Sequence, residues 1–388
     1  MGGSILGNRV VRKEDPKFLT TGGRYVDDLR DEPMLNGALQ VTYVRSSVAH
    51  GKILSIDTSV AESMPGVVAV FTAASLGLEP RSAGMNKAAK RGLLAIDRVR
   101  FVGEPLAAVI SHTKNQGEDA AEAVIVDYET LPAVVDVREA VDSPIILFEE
   151  VGSNVVFDSL NLGTPDLSGP EFFAGCEVVT RATIVNQRVA PCPMEVRGSA
   201  VAWVDGRLHQ WLSTQHAQGA HAAISRTMGY EPANVRVIAP DVGGGFGAKI
   251  GLNGDLAPFM TRPMSQGVYD IPNIECRTLS IVTNTSPVVA YRGAGRPEAT
   301  AAIERAMDLF AAEIGMDATE VRRKNLIPKF MEPYATKMGT TYDVGDYEES
   351  LNRVLIAADY TGLRAEQQRR RQNNDTLQLG IGVSVYVE

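Results

Sequence analysis

Nine residues place the tightest limits on this chain: Asp241-Val242-Gly243-Gly244-Gly245-Phe246-Gly247-Ala248-Lys249. They follow a β-branched run, Val235-Arg236-Val237-Ile238-Ala239-Pro240, which predicts a buried strand opening into a loop. Four glycines in five residues strip that loop to nearly bare backbone. Such a loop lets an anion or cofactor press against main-chain N–H groups. A tight turn or bulge uses glycine in the same way, so the loop alone leaves both readings open.

Two familiar motifs fail here. A Walker A loop ends in Gly-Lys-Ser/Thr. Ala248 precedes Lys249 and Ile250 follows it, so the magnesium-binding hydroxyl is missing. Gly243, Gly245 and Ala248 fit G-x-G-x-x-A, but that fingerprint needs a helix at once. The run from Ile250 to Pro258 carries Gly251, Asn253 and Gly254 and is a poor helix. A nucleotide-binding role for the loop is kept only as an alternative, which failure to bind NAD or ATP would remove.

A chain of 388 residues has room for two or three domains. Its formal charge of −9 argues against a nucleic-acid footprint, which would be basic. No apolar run reaches the roughly 18–20 residues that span a membrane. Met1 to Leu6 show no signal peptide. Cys176, Cys192 and Cys276 are scattered and odd in number, which fits a reducing, cytoplasmic setting. No C-x-x-C is present, so an iron–sulfur cluster of the usual spacing is not expected in this chain. The five histidines form no H-E-x-x-H, which argues against a self-sufficient protein-ligated zinc site.

In order, residues 1–17 predict an extended lead-in, and Thr20 to Asp28 a turn into a short strand. Residues 18–135 predict a compact α/β domain of short strands and helices, with Val67 to Thr72 as its central strand. Residues 136–177 read as a connection with surface loops at Glu149-Glu150 and Asn161 to Pro165. A second α+β domain occupies 178–388. Its landmarks are a hairpin turning on Asp205-Gly206 and a helix over 216–228 stopped by Gly229. A helix over about 298–315 follows, with Ile303, Met307, Phe310 and Ile314 on one face. Asp317 opens another helix, and a further one covers 346–359. Arg369 to Asp375 read as a solvated loop, and Leu379 to Val387 as the start of a strand that ends without a cap. That ending implies a fragment.

Several stretches together resemble one family, the molybdenum-cofactor-binding large subunits of the xanthine dehydrogenase and aldehyde oxidase group. The likeness is strongest to aerobic carbon monoxide dehydrogenase large subunits. It is carried by Gly22 to Asp28, Arg45 to Gly51, Val102 to Val109, Ser213-Thr214-Gln215, Gly243 to Lys249 and Ala290 to Arg296. It covers essentially the whole chain, in order. The resemblance implies an N-terminal hammerhead α/β domain followed by an incomplete molybdopterin-binding domain.

It also implies the site. Gln215 would hydrogen-bond an oxo group of the molybdenum centre; otherwise it is a strand-end amide capping the next helix. Gly245, Phe246 and Gly247 would bring backbone and an aromatic edge against the cofactor. Arg292 would lie beside the substrate and stabilise developing negative charge; otherwise it forms a buried salt bridge. Glu195 is tempting as a base, but a pairing with Arg197 or a structural turn is the alternative. The cofactor implied is molybdenum-molybdopterin, in the cytosine dinucleotide form, with no FAD or iron–sulfur cluster in this chain. The partners implied are an FAD-binding subunit and a [2Fe-2S] subunit.

The family hydroxylates a carbon centre of a small molecule with water-derived oxygen. Its glutamate base lies near the end of the full-length subunit and has no counterpart here. Two further departures stand out. Gly293-Ala294-Gly295 lacks the cysteine of true carbon monoxide oxidisers. Only Ile250 to Val289 separates the glycine loop from Ala-Tyr-Arg, which implies lost structure near Gly251-Leu252. The expectation is therefore a shortened hydroxylase large subunit, inactive alone. The alternative is a cofactor-free assembly or binding module of such a complex.

Overall fold

In this computed structural model the described residues are 9–82, 84–159, 170–249 and 256–387. The ends of the chain, the loop at Asn161 to Pro165 and the junction at Gly251-Leu252 lie outside them. The fold mixes helix and strand throughout, with the first sheets followed by a helix-rich second half.

The first half is built on two three-stranded antiparallel sheets. In one, Pro105–Ser111 runs between Gln40–Arg45 and Val67–Thr72. In the other, Gly51–Asp57 runs between Ile125–Thr130 and the short Arg98–Val99. Val44, Val70, Ala107 and Val109 share a sheet face and join Leu106 and Ala120 in the core. A fully buried valine or leucine contributes roughly 1.5–3 kcal/mol. The helix Lys114–Glu122 is started by Thr113, whose side chain accepts from Gln116 N–H.

Two expectations fail in this half. Val67–Thr72 is an edge strand; the centre is Pro105–Ser111, where Leu106 to Val109 are buried without a break. Apolar character alone did not distinguish them, because Val68 on the edge strand is left half exposed. Residues Val26–Asp31 form a 3-10 helix where a strand was expected. The Asp28 carboxylate accepts from Tyr25 N–H at 2.9 Å, a local bond that competes with extended pairing. The lead-in likewise closes with a short helix, Asp15–Thr20, that has a proline in its first turn.

In the second half, Ser199–Val204 and Arg207–Leu212 form the expected hairpin. Asp205 and Gly206 both have positive φ, +50° and +75°, as a type I′ turn requires. The chain then crosses through helix Ala217–Met228, which Gly229 ends in the left-handed region. It returns as Val235–Ile238, parallel to Arg207–Leu212. Because these two strands are parallel neighbours, Ser213-Thr214-Gln215 and the glycine loop leave the same end of the sheet. That end, outside the carboxyl termini of parallel strands, is where open sheets of this kind bind ligands.

Val155–Asp158 pairs antiparallel with Leu279–Ile281, so part of the stretch expected as a connection is tied into a sheet. Asn284, buried in the body, accepts from Val134 N–H at 2.9 Å and donates to Arg100 carbonyl at 3.0 Å. It thereby pins the two halves together.

The helical part has its own core of Val268, Tyr269, Leu326, Ile327, Tyr342, Tyr347 and Leu351. The long helix Arg296–Glu313 lays Ile303 and Met307 on it. Its buried positions are Ala299, Glu304 and Ala311, and Ile314 sits at its exposed end. Glu304 is buried because Arg322, itself fully buried, donates to it at 2.9 Å, while the Tyr269 hydroxyl also donates to it. Arg369 to Arg371 form the last turn of helix Tyr360–Gln372, where a loop was expected. Glu366 one turn earlier pairs with Arg369 and Arg370, which favours the helix. Leu379 to Val387 join no ladder among the described residues; Val383, Val385 and Val387 instead pack on the helical core.

Candidate functional site

The glycine loop is laced to its neighbour strand's exit. Thr214 Oγ1 donates to Lys249 carbonyl at 3.1 Å, and Gln215 N–H to the same oxygen at 3.2 Å. Gly247 N–H donates to Gln215 Oε1 at 2.9 Å. That bond fixes the amide's orientation and leaves Gln215 Nε2, a double donor, for something else.

At its other flank the loop meets the Ala-Tyr-Arg stretch. Gly247 has φ +89°, and a Cβ on it would fall 2.8 Å from the Ala290 carbonyl oxygen and 3.3 Å from Tyr291 carbonyl carbon. Only glycine allows this approach. Arg292 follows directly. The chain then turns, with Ala294 N–H donating to Tyr291 carbonyl at 2.7 Å, into helix Arg296–Glu313. Glu298 closes the start of that helix by accepting from Gly295 N–H at 2.8 Å.

The site residues named from sequence therefore fall as follows. Gln215, Gly245 and Gly247 are in mutual contact, with Gly245 packed on the Gln215 carboxamide. Phe246 is exposed with φ +49°. Arg292 is exposed, one residue beyond the stretch that Gly247 touches, and makes no hydrogen bond or ion pair among the described residues, so the alternative of a buried salt bridge does not hold there. Gln215 does not cap the helix that follows; His216 holds that position.

Glu195 pairs with Lys249, not with Arg197. Its Oε2 accepts from Lys249 Nζ at 2.7 Å, Ser213 Oγ at 2.7 Å and Gly243 N–H at 2.9 Å. Burial alone would raise its pKa, but these donors outweigh burial and hold the carboxyl below its ordinary range. Arg197 instead donates to Ala248 carbonyl. Asp241 is spoken for too: Lys17 Nζ and Arg24 N–H both bond its carboxylate, and the Lys17 contact chiefly lowers its pKa. The lead-in thus straps the start of the loop. Sequence reading missed Lys17 and Lys249 as partners.

The chemistry of this face follows. Both carboxylates that touch the loop are paired with lysines, Glu195 with Lys249 and Asp241 with Lys17, each through one oxygen. Among the described residues the free groups are donors, Gln215 Nε2 and the Arg292 guanidinium, beside an exposed phenyl ring. Such a surface receives an anionic or oxo-bearing group. Among the described residues, no group of three or more His, Cys, Asp or Glu could hold a metal. Bare backbone, free donors and an aromatic edge suit a pterin that carries its own metal ligands, so the residues fit that group. A cleft of about 750 Å³ lies elsewhere, lined by Arg91, Arg100, Glu104 and Glu150.

Comparison with known proteins agrees. Residues 20–132 match the family model described as aldehyde oxidase and xanthine dehydrogenase, a/b hammerhead domain. Residues 147–255 and 251–326 match the molybdopterin cofactor-binding domain. The chain is 31% identical to the carbon monoxide dehydrogenase large chain of Hydrogenophaga pseudoflava, over 98% of this chain and 58% of that one. It is 29% identical to the nicotine 6-hydroxylase large subunit of Paenarthrobacter nicotinovorans, over 99% and 56% respectively. Among solved structures, quinoline 2-oxidoreductase from Pseudomonas putida 86 superposes with a TM-score of 0.84 at 26% identity, covering 96% of this chain and 56% of that one. The Cu,Mo-CO dehydrogenase superposes with a TM-score of 0.83 at 28% identity, covering 95% and 57%.

The chain thus spans little more than half the length of these relatives. The Hydrogenophaga alignment runs over 474 positions against 388 residues here, so the relative holds internal residues with no counterpart in this chain. The chain belongs to the xanthine dehydrogenase and aldehyde oxidase family of molybdenum-cofactor-binding large subunits.

Proposed function

We propose that this chain supplies the pterin-facing cradle of a molybdenum hydroxylase and does not turn over substrate by itself. The observation that carries this reading is the contact of Gly247 with Ala290 and Tyr291, which brings the glycine loop beside Arg292.

Bound, the molybdenum cofactor supplies oxidation of a carbon centre with water-derived oxygen. The chain's own residues do the rest. Gln215, its Oε1 held by Gly247 N–H, turns Nε2 toward the cofactor as a donor. Phe246, exposed beside the loop, would offer its ring to the cofactor. The Arg292 guanidinium steadies negative charge that develops on the substrate. No general base comes from Glu195 or Asp241. Each carboxylate is held below its ordinary pKa by a lysine and backbone N–H donors on one oxygen, which weakens it as a base, and the second oxygen of Glu195 is buried beneath the loop. The base must come from residues outside this set.

The cytosine dinucleotide form of the cofactor fits the likeness to bacterial large subunits. An FAD-binding subunit and a [2Fe-2S] subunit are the proposed electron acceptors, in a hetero-oligomer in the cytoplasm, and the substrate is a small molecule. No described helix is long and apolar enough to cross a membrane. The consumed carboxylates also favour a second reading, an assembly module that joins such a complex without catalysis.

Molybdenum and pterin analysis of the chain, purified from cells that make the cofactor, separates the two. The proposal expects close to one molybdenum and one pterin per chain and no turnover of aldehydes or N-heterocycles. Absence of pterin, with capture of flavin or iron–sulfur partners, would establish the module instead.

A further inference from the structure

We propose that Glu195 is a positioning residue whose charged carboxylate staples the two ends of the glycine loop, and so sets the shape in which the loop meets its cofactor. This rests on the reading that the loop faces the cofactor.

The geometry is specific. One oxygen, Oε2, is shared by donors from residue 243 and residue 249, the first glycine and the last residue of the loop. Glu195 N–H also donates to Gly243 carbonyl at 3.1 Å, so both polar groups of that glycine are held by one residue. A Cβ on Gly243 would lie 2.5 Å from Glu195 Cβ, which shows how closely the two chains are pressed. The arc between the stapled ends is short. Within it, Ala248 N–H closes on Gly245 carbonyl at 3.0 Å and Gly247 N–H reaches Gln215. A change at the staple is therefore passed to the Gln215 amide through a few peptide groups.

The ion pair is the unusual part. The Lys249 side chain is 0% exposed and that of Glu195 11%. Burying two charges is costly and often gives no net stability over an apolar pair. A hydroxyl or amide would satisfy Gly243 N–H equally well. What the carboxylate adds is one fixed acceptor strong enough to serve three donors at once. Glu195 itself lies under the loop, whereas Gln215, Phe246 and Arg292 are exposed. It acts through the loop and not on the ligand.

The test compares Glu195→Gln with the double variant Glu195→Gln/Lys249→Met. The double change removes the stranded buried charge and keeps the fold if the single change does not. Hydrogen exchange is read on peptides covering 241–249 and, as a reference, 296–313. Pterin retention is read by fluorescence after oxidation. Positioning predicts at least tenfold faster exchange in the loop of both variants, an unchanged reference helix, a melting temperature recovered in the double variant, and pterin lost from both. Slow loop exchange in the double variant would overturn the proposal, because the pair would then serve packing alone. Fast loop exchange with full pterin retention would overturn it differently, by showing that the loop does not face the cofactor.

Discussion

Replacing Gly247 by alanine tests the meeting of the two loops with a single methyl group. Two costs add. At φ +89° an L-residue is strained, by roughly 1–2 kcal/mol. The methyl would also sit 2.8 Å from the Ala290 carbonyl oxygen and 3.0 Å from its carbon, which are backbone atoms that cannot swing aside. Overpacking of this kind costs typically about 1–3 kcal/mol. The sum is about 2–5 kcal/mol, or else the 290–296 loop is pushed away. Gly206→Ala is the control. It has φ +75° and nothing within 4 Å, so it carries the backbone cost alone, roughly 1–2 kcal/mol. Urea unfolding followed by Trp fluorescence measures both, since Trp203 and Trp211 lie in the adjoining hairpin. The expected result is a lower midpoint for Gly247→Ala than for Gly206→Ala, by at least about 1 kcal/mol, with faster exchange at 290–296 in the first variant only. Equal midpoints and unchanged exchange would refute the contact.

Two further predictions concern the frame around the site. Arg322→Met strands Glu304 and Asp308, which lie 2.9 Å from its guanidinium, and should cost about 3–5 kcal/mol in the helical core. Thermal melts of the variant check this, and a loss under about 1 kcal/mol would contradict it. The second follows from the depressed pKa of Glu195. The stability it gives is present above the unfolded glutamate value of about 4.3 and is lost as pH falls through the lower native value. The wild-type chain should therefore lose loop protection below about pH 4, while Glu195→Gln shows no such component. Identical acid profiles would remove Glu195 as the titrating group.

What could be read from the sequence was local chemistry. Asp205-Gly206 predicts its own turn because both residues tolerate positive φ, and Gly229 stops its helix for the same reason. The glycine density of 243–247 marked a place of close backbone approach before any partner was known. The misses are non-local. Glu195 and Lys249 stand 54 residues apart, and Lys17 and Asp241 stand 224 apart, so no periodicity connects them. Glu304 breaks the apolar stripe of its helix because Arg322, from another helix, neutralises it in the core. Val67–Thr72 and Pro105–Ser111 are both apolar, and which of them is central depends on what covers each face. Arg369 to Arg371 looked like a loop because charge was weighed without the Glu366 one turn back.

The most direct measurement is hydrogen exchange of the chain with and without added molybdopterin. If residues 241–249 and 290–296 form one pterin-facing surface, both segments gain protection together, at the same cofactor concentration, while strand Gln40–Arg45 in the other half does not change. Protection of only one segment, or of neither, would contradict the account.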